Sequence, residues 1–294
     1  MSKILLATHS PTFTTGYGRV CREVARALGE RGHRVKILAM GYEGDGHGLP
    51  WELIDCPWRE AETVLGRVLA EGGVDVLLTI GDPWMFEGVG QMMKGGGVGS
   101  EPADAGGASL APGPQKRPRW VAYFPVDGRP LPEKWARWVE AVDEPIVISR
   151  FAQEVVEAAT GRRAEVVHHG VDLQAFGPID KGHAKRRVGV EGFVVGTVAA
   201  NQQRKNIPAL VKAFAEFAKG KRDVMLYLHT PVVGYWDIDE LVRQLGIEQQ
   251  TRVTLGLEPQ RGISDADLAC VYSAMDVFVL PTMAEGFGLP ILEA

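Results

Sequence analysis

Glu285 and Glu293 bracket the string EGFGLPILE near the end of the chain, and this string carries the clearest chemical signal in the sequence. Gly286 and Gly288 let the main chain approach a ligand closely. Pro290 suits the first position of a helix, where its missing N–H costs nothing. That reading puts Glu285 on a loop and Glu293 in the first turn of the helix. The amides of Gly286, Phe287, Gly288 and Leu289 would then meet an anion, such as a phosphate oxygen, at the positive end of the helix dipole. Two glutamates at this spacing arise readily by chance, and Glu293 alone reads equally as a favourable charge near a helix N-terminus. The whole string is far more specific.

A second cluster is NQQRKN, residues 201–206, which follows an apolar strand pattern at 193–199. Arg204 and Lys205 there could neutralise a diphosphate, Arg as a bidentate donor and Lys as a point charge, although adjacent cations are more often a solvated loop. TTGYGR, residues 14–19, offers Gly16 and Gly18 between the first strand and first helix. It is a candidate phosphate loop or, equally, a tight packing turn. Asp82 in TIGDPW and Asp127 in YFPVDG stand just past strand patterns, where each could orient a hydroxyl or serve as a cap or turn residue. His168 and His169 read as strand-end packing residues. His229 and Thr230 stand just past a strand pattern, and Asp237, Asp239 and Glu240 read as a helix start.

The elements that must position these groups alternate between strand and helix. Strands are expected at 3–7, 35–40, 74–80, 120–124, 146–149, 164–167, 193–199, 224–229, 252–255 and 277–280, with helices at 18–31, 60–71, 207–219 and 268–275. Strands that are apolar throughout imply parallel sheets covered on both faces. HHGVDLQAFGPIDKG, residues 168–182, is rich in turn formers and reads as a hinge. It separates a first Rossmann-like domain, 1–170, from a second, 171–294. Two doubly wound α/β domains facing a cleft would put the strand-end loops at that cleft. GGGVGSEPADAGGASLAPGP, residues 95–114, breaks the alternation and reads as a flexible insertion.

Composition narrows the function classes. The chain has 294 residues, 45% hydrophobic and 23% charged, which suits about two globular domains. A net charge of -5 argues against a nucleic-acid partner. The three cysteines, Cys21, Cys56 and Cys270, are too few and too scattered for a disulfide framework or a metal site, which points to a reducing, cytoplasmic setting. No apolar run is long enough for a membrane span, and peripheral membrane contact is left open. There is no clustered His/Cys set, so no metal and no cofactor are expected.

Taken together, the strings resemble the retaining glycosyltransferases of family 4, which have the GT-B fold. Glu285 and Glu293 match the family's E-x7-E signature. HHGVD, 168–172, resembles its (N/H)GVD motif, NQQRKN its diphosphate-binding loop, and MDVFVLPT, 275–282, its A-D-x-x-x-x-P-S stretch. The likeness spans the chain and is strongest over 165–294.

That resemblance implies a transfer from a nucleotide sugar to an unknown acceptor (a glycan, lipid, protein or small molecule), with retention of configuration and without a metal. Glu293 would bind the donor ribose, Glu285 would lie near the transferred sugar, and the amides of residues 286–289 would hold sugar and diphosphate. Lys205 would offset charge on the leaving diphosphate. The family's companion arginine stands several residues before that lysine. Here Asn201 is near that place and Arg204 is adjacent to Lys205, so both enter the candidate set. Gly16 and Gly18 would form the glycine loop over the diphosphate, and Asp127 is a weaker catalytic candidate. Because family members continue past the signature helix, a truncated second domain is expected. The alternatives are an inactive nucleotide-sugar-binding module and a dinucleotide-dependent dehydrogenase. The dehydrogenase is disfavoured because TTGYGR lacks a third glycine.

Overall fold

A computed structural model describes residues 1–94, 117–257 and 262–294. The insertion expected at 95–114 lies outside the described residues. The chain divides into two compact units, Met1–His168 and His169–Ala294.

In the first unit the elements run β1 (Lys3–His9), α1 (Gly16–Glu30), β2 (Arg34–Met40), β3 (Glu52–Cys56), α2 (Ala61–Glu71), β4 (Val76–Ile80), α3 (Val89–Lys94), β5 (Arg119–Phe124), α4 (Glu133–Ala141), β6 (Glu144–Val147), α5 (Arg150–Thr160) and β7 (Glu165–Val166). All strand pairs are parallel, in the order β3-β2-β1-β4-β5-β6-β7. The fully apolar strand patterns are explained by burial: Ile4 through Ala7 and Ile37 through Met40 are all in the core. The core also holds Trp120, whose indole N–H donates to Thr79 Oγ1 at 3.1 Å and whose ring stands edge-on to Trp138 at 5.4 Å. A buried tryptophan needs such a polar partner.

The second unit runs α6 (Lys181–Val188), β8 (Phe193–Val198), α7 (Ile207–Ala218), β9 (Val224–His229), α8 (Ile238–Gln244), β10 (Thr251–Val253), α9 (Asp265–Ala274), β11 (Val277–Phe278) and α10 (Leu289–Glu293). Its described sheet is parallel in the order β10-β9-β8-β11. Asp180, Asp237 and Ser264 cap α6, α8 and α9 through their side chains, each satisfying an amide that a helix start leaves open.

Asp276, from the MDVFVLPT stretch, ties three elements together. Its carboxylate takes Lys185 Nζ at 2.6 Å, Lys181 Nζ at 3.0 Å and the Val194 amide at 2.9 Å. Burial alone would raise its pKa. The lysines and the amide outweigh that and hold it at about 2.

Both sheets reverse their strand order once, between β1 and β4 in the first unit and between β8 and β11 in the second. Loops at the C-terminal ends of such strand pairs are where open α/β sheets bind ligands.

Several expectations need correction. β3 was not expected: Glu52 and Asp55 interrupt its apolar run, and only Cys56 is fully buried. α6 begins at Lys181, inside the stretch read as hinge. α1 begins at Gly16 rather than Gly18, because Thr15 supplies the cap. α10 begins at Leu289, so Pro290 is its second residue, still within the first turn where an N–H is dispensable.

Candidate functional site

At the switch point of the second unit, the loop after β8 meets the loop after β11. Asn206 and Gly288 adopt left-handed backbone conformations at the starts of α7 and α10, with φ of 51° and 82°. Gly288 is the residue type that does this without strain. The two loops are laced by main-chain bonds: the Met283 amide donates to the Arg204 carbonyl at 2.8 Å and Thr282 Oγ1 donates to the same oxygen at 3.2 Å.

This lacing brings three of the expected residues together. Lys205 Nζ is ion-paired with Glu285 Oε1, and Arg204 Nη1 reaches Glu285 Oε2 at 3.2 Å and the Ala284 carbonyl at 3.0 Å. The Lys205 and Glu285 side chains are only 11% and 17% exposed. The alternative of a solvated basic loop therefore fails for Lys205 and holds only in part for Arg204, whose side chain is 42% exposed. Two cations converging on the Glu285 carboxylate, one of them largely buried, are a chemistry that suits an anionic ligand.

Glu293 is more than a favourable charge near a helix N-terminus. It is a buried carboxylate at the end of α10, 8% exposed, that accepts a 2.7 Å hydrogen bond from the Tyr272 hydroxyl of α9. Phe287 packs edge-on against His169, with ring centroids 5.1 Å apart. Burial lowers the pKa of His169 to about 4, which keeps the ring neutral near pH 7. Reading the sequence alone missed Tyr272 and the Phe287 contact. The available signal for Tyr272 was a hydroxyl-bearing ring inside the otherwise apolar string LACVY, since a buried tyrosine hydroxyl needs a partner.

Asn201 is engaged elsewhere than in the ion-paired cluster. Its side chain bonds instead to the segment after β9, at Pro231 and Trp236. His229 is hydrogen-bonded to Thr254 Oγ1 at 2.9 Å, and Thr254 also bonds Tyr227 at 2.8 Å.

The switch point of the first unit has a different character. His9 ends β1, and its ring meets Tyr17 and Trp58 edge-on at centroid distances of 5.0 and 4.7 Å. Burial pushes its pKa down to about 4. The Tyr17 hydroxyl donates to Asp82 Oδ2 at 2.9 Å, so Asp82 is engaged by a ring rather than acting as a side-chain cap. Asp127 is exposed, just past β5.

Gly18 has a packing reason of its own. A Cβ there would lie 2.4 Å from the Phe13 carbonyl oxygen, and its amide donates to Thr15 Oγ1 at 3.2 Å. Gly16 is the first residue of α1.

Among the described residues no group of three or more His, Cys, Asp or Glu is arranged to hold a metal ion. The three cysteines are free and buried. No helix among the described residues is long and apolar enough to cross a membrane. A cleft of about 380 Å3 beside α6 and α9, lined by Arg187, Tyr227, Thr254 and Cys270, does not include the Lys205 cluster.

Residues 192–294 match the family model described as glycosyl transferases group 1. Over 170 residues the chain is 32% identical to a D-inositol 3-phosphate glycosyltransferase of Kribbella flavida, covering 53% of this chain and 39% of that protein. Over 176 residues it is 27% identical to an MMP alpha-(1->4)-mannosyltransferase of Mycolicibacterium hassiacum, covering 56% and 39%. The matched stretch thus spans about two fifths of the length of these relatives.

Among solved structures, the fold is shared with a sucrose-phosphate synthase of Thermosynechococcus elongatus at a TM-score of 0.72 and 19% identity, covering all of this chain and 78% of that one. It is shared with the Anabaena protein HepE, solved with UDP-glucose, at 0.71 and 18%, with the same coverage. The chain therefore has the GT-B fold, and its residues 192–294 carry the group 1 glycosyltransferase pattern.

Proposed function

We propose that this chain transfers a glycosyl group from a nucleotide-sugar donor to an acceptor hydroxyl, with retention of configuration and without a metal ion. The observation that carries this reading is the Lys205–Glu285–Arg204 cluster at the switch point of a parallel sheet. The match of residues 192–294 to the group 1 glycosyl transferases supports it, as does the likeness in fold to a protein solved with UDP-glucose.

In this mechanism the bond between the anomeric carbon and the diphosphate oxygen breaks, and negative charge grows on the departing nucleoside diphosphate. Lys205 and Arg204 stabilise that charge more in the transition state than in the ground state, which is the condition for accelerating the step. Two fixed cations supply the neutralisation that a divalent metal provides elsewhere. The amides of Gly286, Phe287, Gly288 and Leu289 hold the sugar and diphosphate, and Glu293, steadied by Tyr272, takes the ribose hydroxyls. Glu285 lies beside the transferred sugar and keeps Lys205 and Arg204 oriented when no donor is bound. The acceptor hydroxyl attacks from the face the diphosphate leaves, and its proton ends on the departing phosphate. Asp127 is assigned to the acceptor, and Gly16 and Gly18 at the start of α1 to donor binding. The first domain, 1–170, serves the acceptor and the second, 171–294, the donor. Its setting is the cytoplasm.

The experiment is release of nucleoside diphosphate from a panel of nucleotide sugars, with and without candidate acceptors, in wild type and Lys205→Ala and in the presence of a metal chelator. Chelator-insensitive release that depends on Lys205 is expected. Donor binding with no release for any acceptor would make the chain a binding module, and release abolished by the chelator would remove the metal-free mechanism.

A further inference from the structure

The segment after β9, Thr230–Asp237 with sequence TPVVGYWD, carries an aromatic ring that the mechanism above leaves unused. Asn201 is committed to fixing this segment. Its Nδ2 donates to the carbonyls of Pro231 at 2.9 Å and Trp236 at 2.7 Å, and its Oδ1 accepts the Trp236 amide at 3.0 Å. Its main-chain carbonyl accepts the Tyr235 amide at 3.1 Å. A side-chain amide has two N–H donors, and both are used here. Gly234 seals the contact: a Cβ there would lie 2.7 Å from the Asn201 side chain. A bridge between Val233 and Asp237 and the Ile238 amide on the Val232 carbonyl, at 3.1 Å, close the segment on itself.

This clamp fixes where Tyr235 stands. The Tyr235 ring meets Trp236 edge-on, with centroids 4.9 Å apart, and Trp236 packs against the core beneath α7 and α8. Tyr235 is nevertheless 56% exposed. An aromatic ring that is held in place but open on one side loses little freedom when a flat group stacks on it. The loop that holds it identifies that group. Asn201 lies on the same short loop as Arg204 and Lys205. One rigid strand-end loop thus presents two cations and, through Asn201, an aromatic face, which suits the two ends of a nucleoside diphosphate.

We propose that Tyr235 is the face on which the donor's nucleobase stacks, and that Asn201 is the positioning residue that holds it there rather than a group touching the donor. This rests on the reading of Lys205 and Arg204 as the diphosphate site. Stacking accepts any base, because every base has a π face. Tyr235 therefore adds affinity for uridine, guanosine and adenosine diphosphates without choosing among them.

Calorimetric titration of the full chain with UDP, GDP, ADP and inorganic pyrophosphate tests this. Tyr235→Ala is expected to weaken the bound nucleoside diphosphates by roughly 5- to 100-fold and to leave pyrophosphate unchanged. Tyr235→Phe keeps the ring and should bind like wild type. Asn201→Ala should also weaken nucleotides and spare pyrophosphate, and its effect should not add to that of Tyr235→Ala, because the two act as a unit. Nucleotide binding unchanged in Tyr235→Ala, while Lys205→Ala loses both ligands, overturns the stacking role and leaves the diphosphate site standing. Equal loss of nucleotide and pyrophosphate in Tyr235→Ala also overturns it. Unchanged binding of both ligands in Lys205→Ala removes the diphosphate site itself.

Discussion

The two switch points are built from the same parts and filled with opposite chemistry. In each unit a parallel strand ends, a loop turns, and a helix begins beside a second strand whose order reverses. In the first unit that place holds His9, Tyr17, Trp58 and Asp82, rings packed edge-on around an imidazole that burial keeps neutral. In the second it holds Lys205, Arg204 and Glu285, a set of full charges of which Lys205 and Glu285 are largely buried. A shared backbone plan therefore does not dictate the chemistry; the few side chains placed on the strand ends do. Aromatic faces with a few hydrogen-bonding groups suit an uncharged polyhydroxylated ligand, and buried cations suit a diphosphate.

The largest effect expected from this contrast is at Lys205. Lys205→Ala should lower kcat by roughly 100- to 1000-fold, the usual loss when one preorganised donor to a developing anion is removed. Initial rates of nucleoside diphosphate release measure it. A loss confined to KM would mean that Lys205 binds donor and transition state equally, and the contrast would then concern binding rather than rate.

Stability should separate the units next. Asp276 anchors only the second unit, so Asp276→Ala should destabilise that unit by about 2–3 kcal/mol, the scale for breaking a partly buried ion pair and stranding its lysines. Hydrogen exchange resolved by segment should place the loss in α6, β8 and β11 and spare the first sheet. Uniform loss over both sheets would show that the units unfold as one.

Acid should act on both units with different end points. His9 and His169 have folded pKa values lowered to about 4, below the ordinary 6.5, so the unfolded chain binds protons first. Each therefore costs stability as pH falls from about 6.5 to 4, on the order of 3 kcal/mol, and little further below that. Asp276 adds a second window to the second unit alone. Its folded pKa is depressed, so its contribution is intact above about pH 4 and is lost as pH falls toward 2. Denaturant titrations of wild type and His9→Asn at pH 7 and pH 4.5 measure the first window. An identical pH dependence in the two proteins would remove His9 as its source.

Much of this contrast was legible in residue order. The alternation of apolar runs implies the parallel sheets, and EGFGLPILE with NQQRKN places Lys205, Arg204 and Glu285 on strand-end loops. Contacts between residues distant in sequence were not legible. The string NQQRKN does not say that Asn201 faces the segment after β9 while Lys205, four positions on, faces Glu285. Periodicity is equally silent on β3, because Glu52 and Asp55 lie where an edge strand meets solvent and dilute its apolar signal. Gly18 was ambiguous between ligand approach and packing until the Phe13 carbonyl beside it gave it a packing reason.

The smallest expected effect is at Tyr272, and it tests whether charge in the second unit is held by packing as well as by ion pairs. The Tyr272 hydroxyl is the hydrogen-bond partner that α9 gives to the buried Glu293 carboxylate. Tyr272 is also packed edge-on against Phe278 and Phe176, with centroids 5.5 and 6.2 Å away, so Tyr272→Phe keeps the ring contacts and removes only the donor. A buried acceptor deprived of one partner costs about 1–3 kcal/mol, and the lower end applies because Glu293 has further contacts. With Glu293 less firmly oriented, the KM for the nucleotide sugar should rise several-fold while kcat holds, since ribose hydroxyls change little between ground and transition states. Tyr272→Phe with unchanged stability and unchanged KM would show that α10 orients Glu293 unaided. The charged switch point would then owe its geometry to Lys205, Arg204 and Glu285 alone.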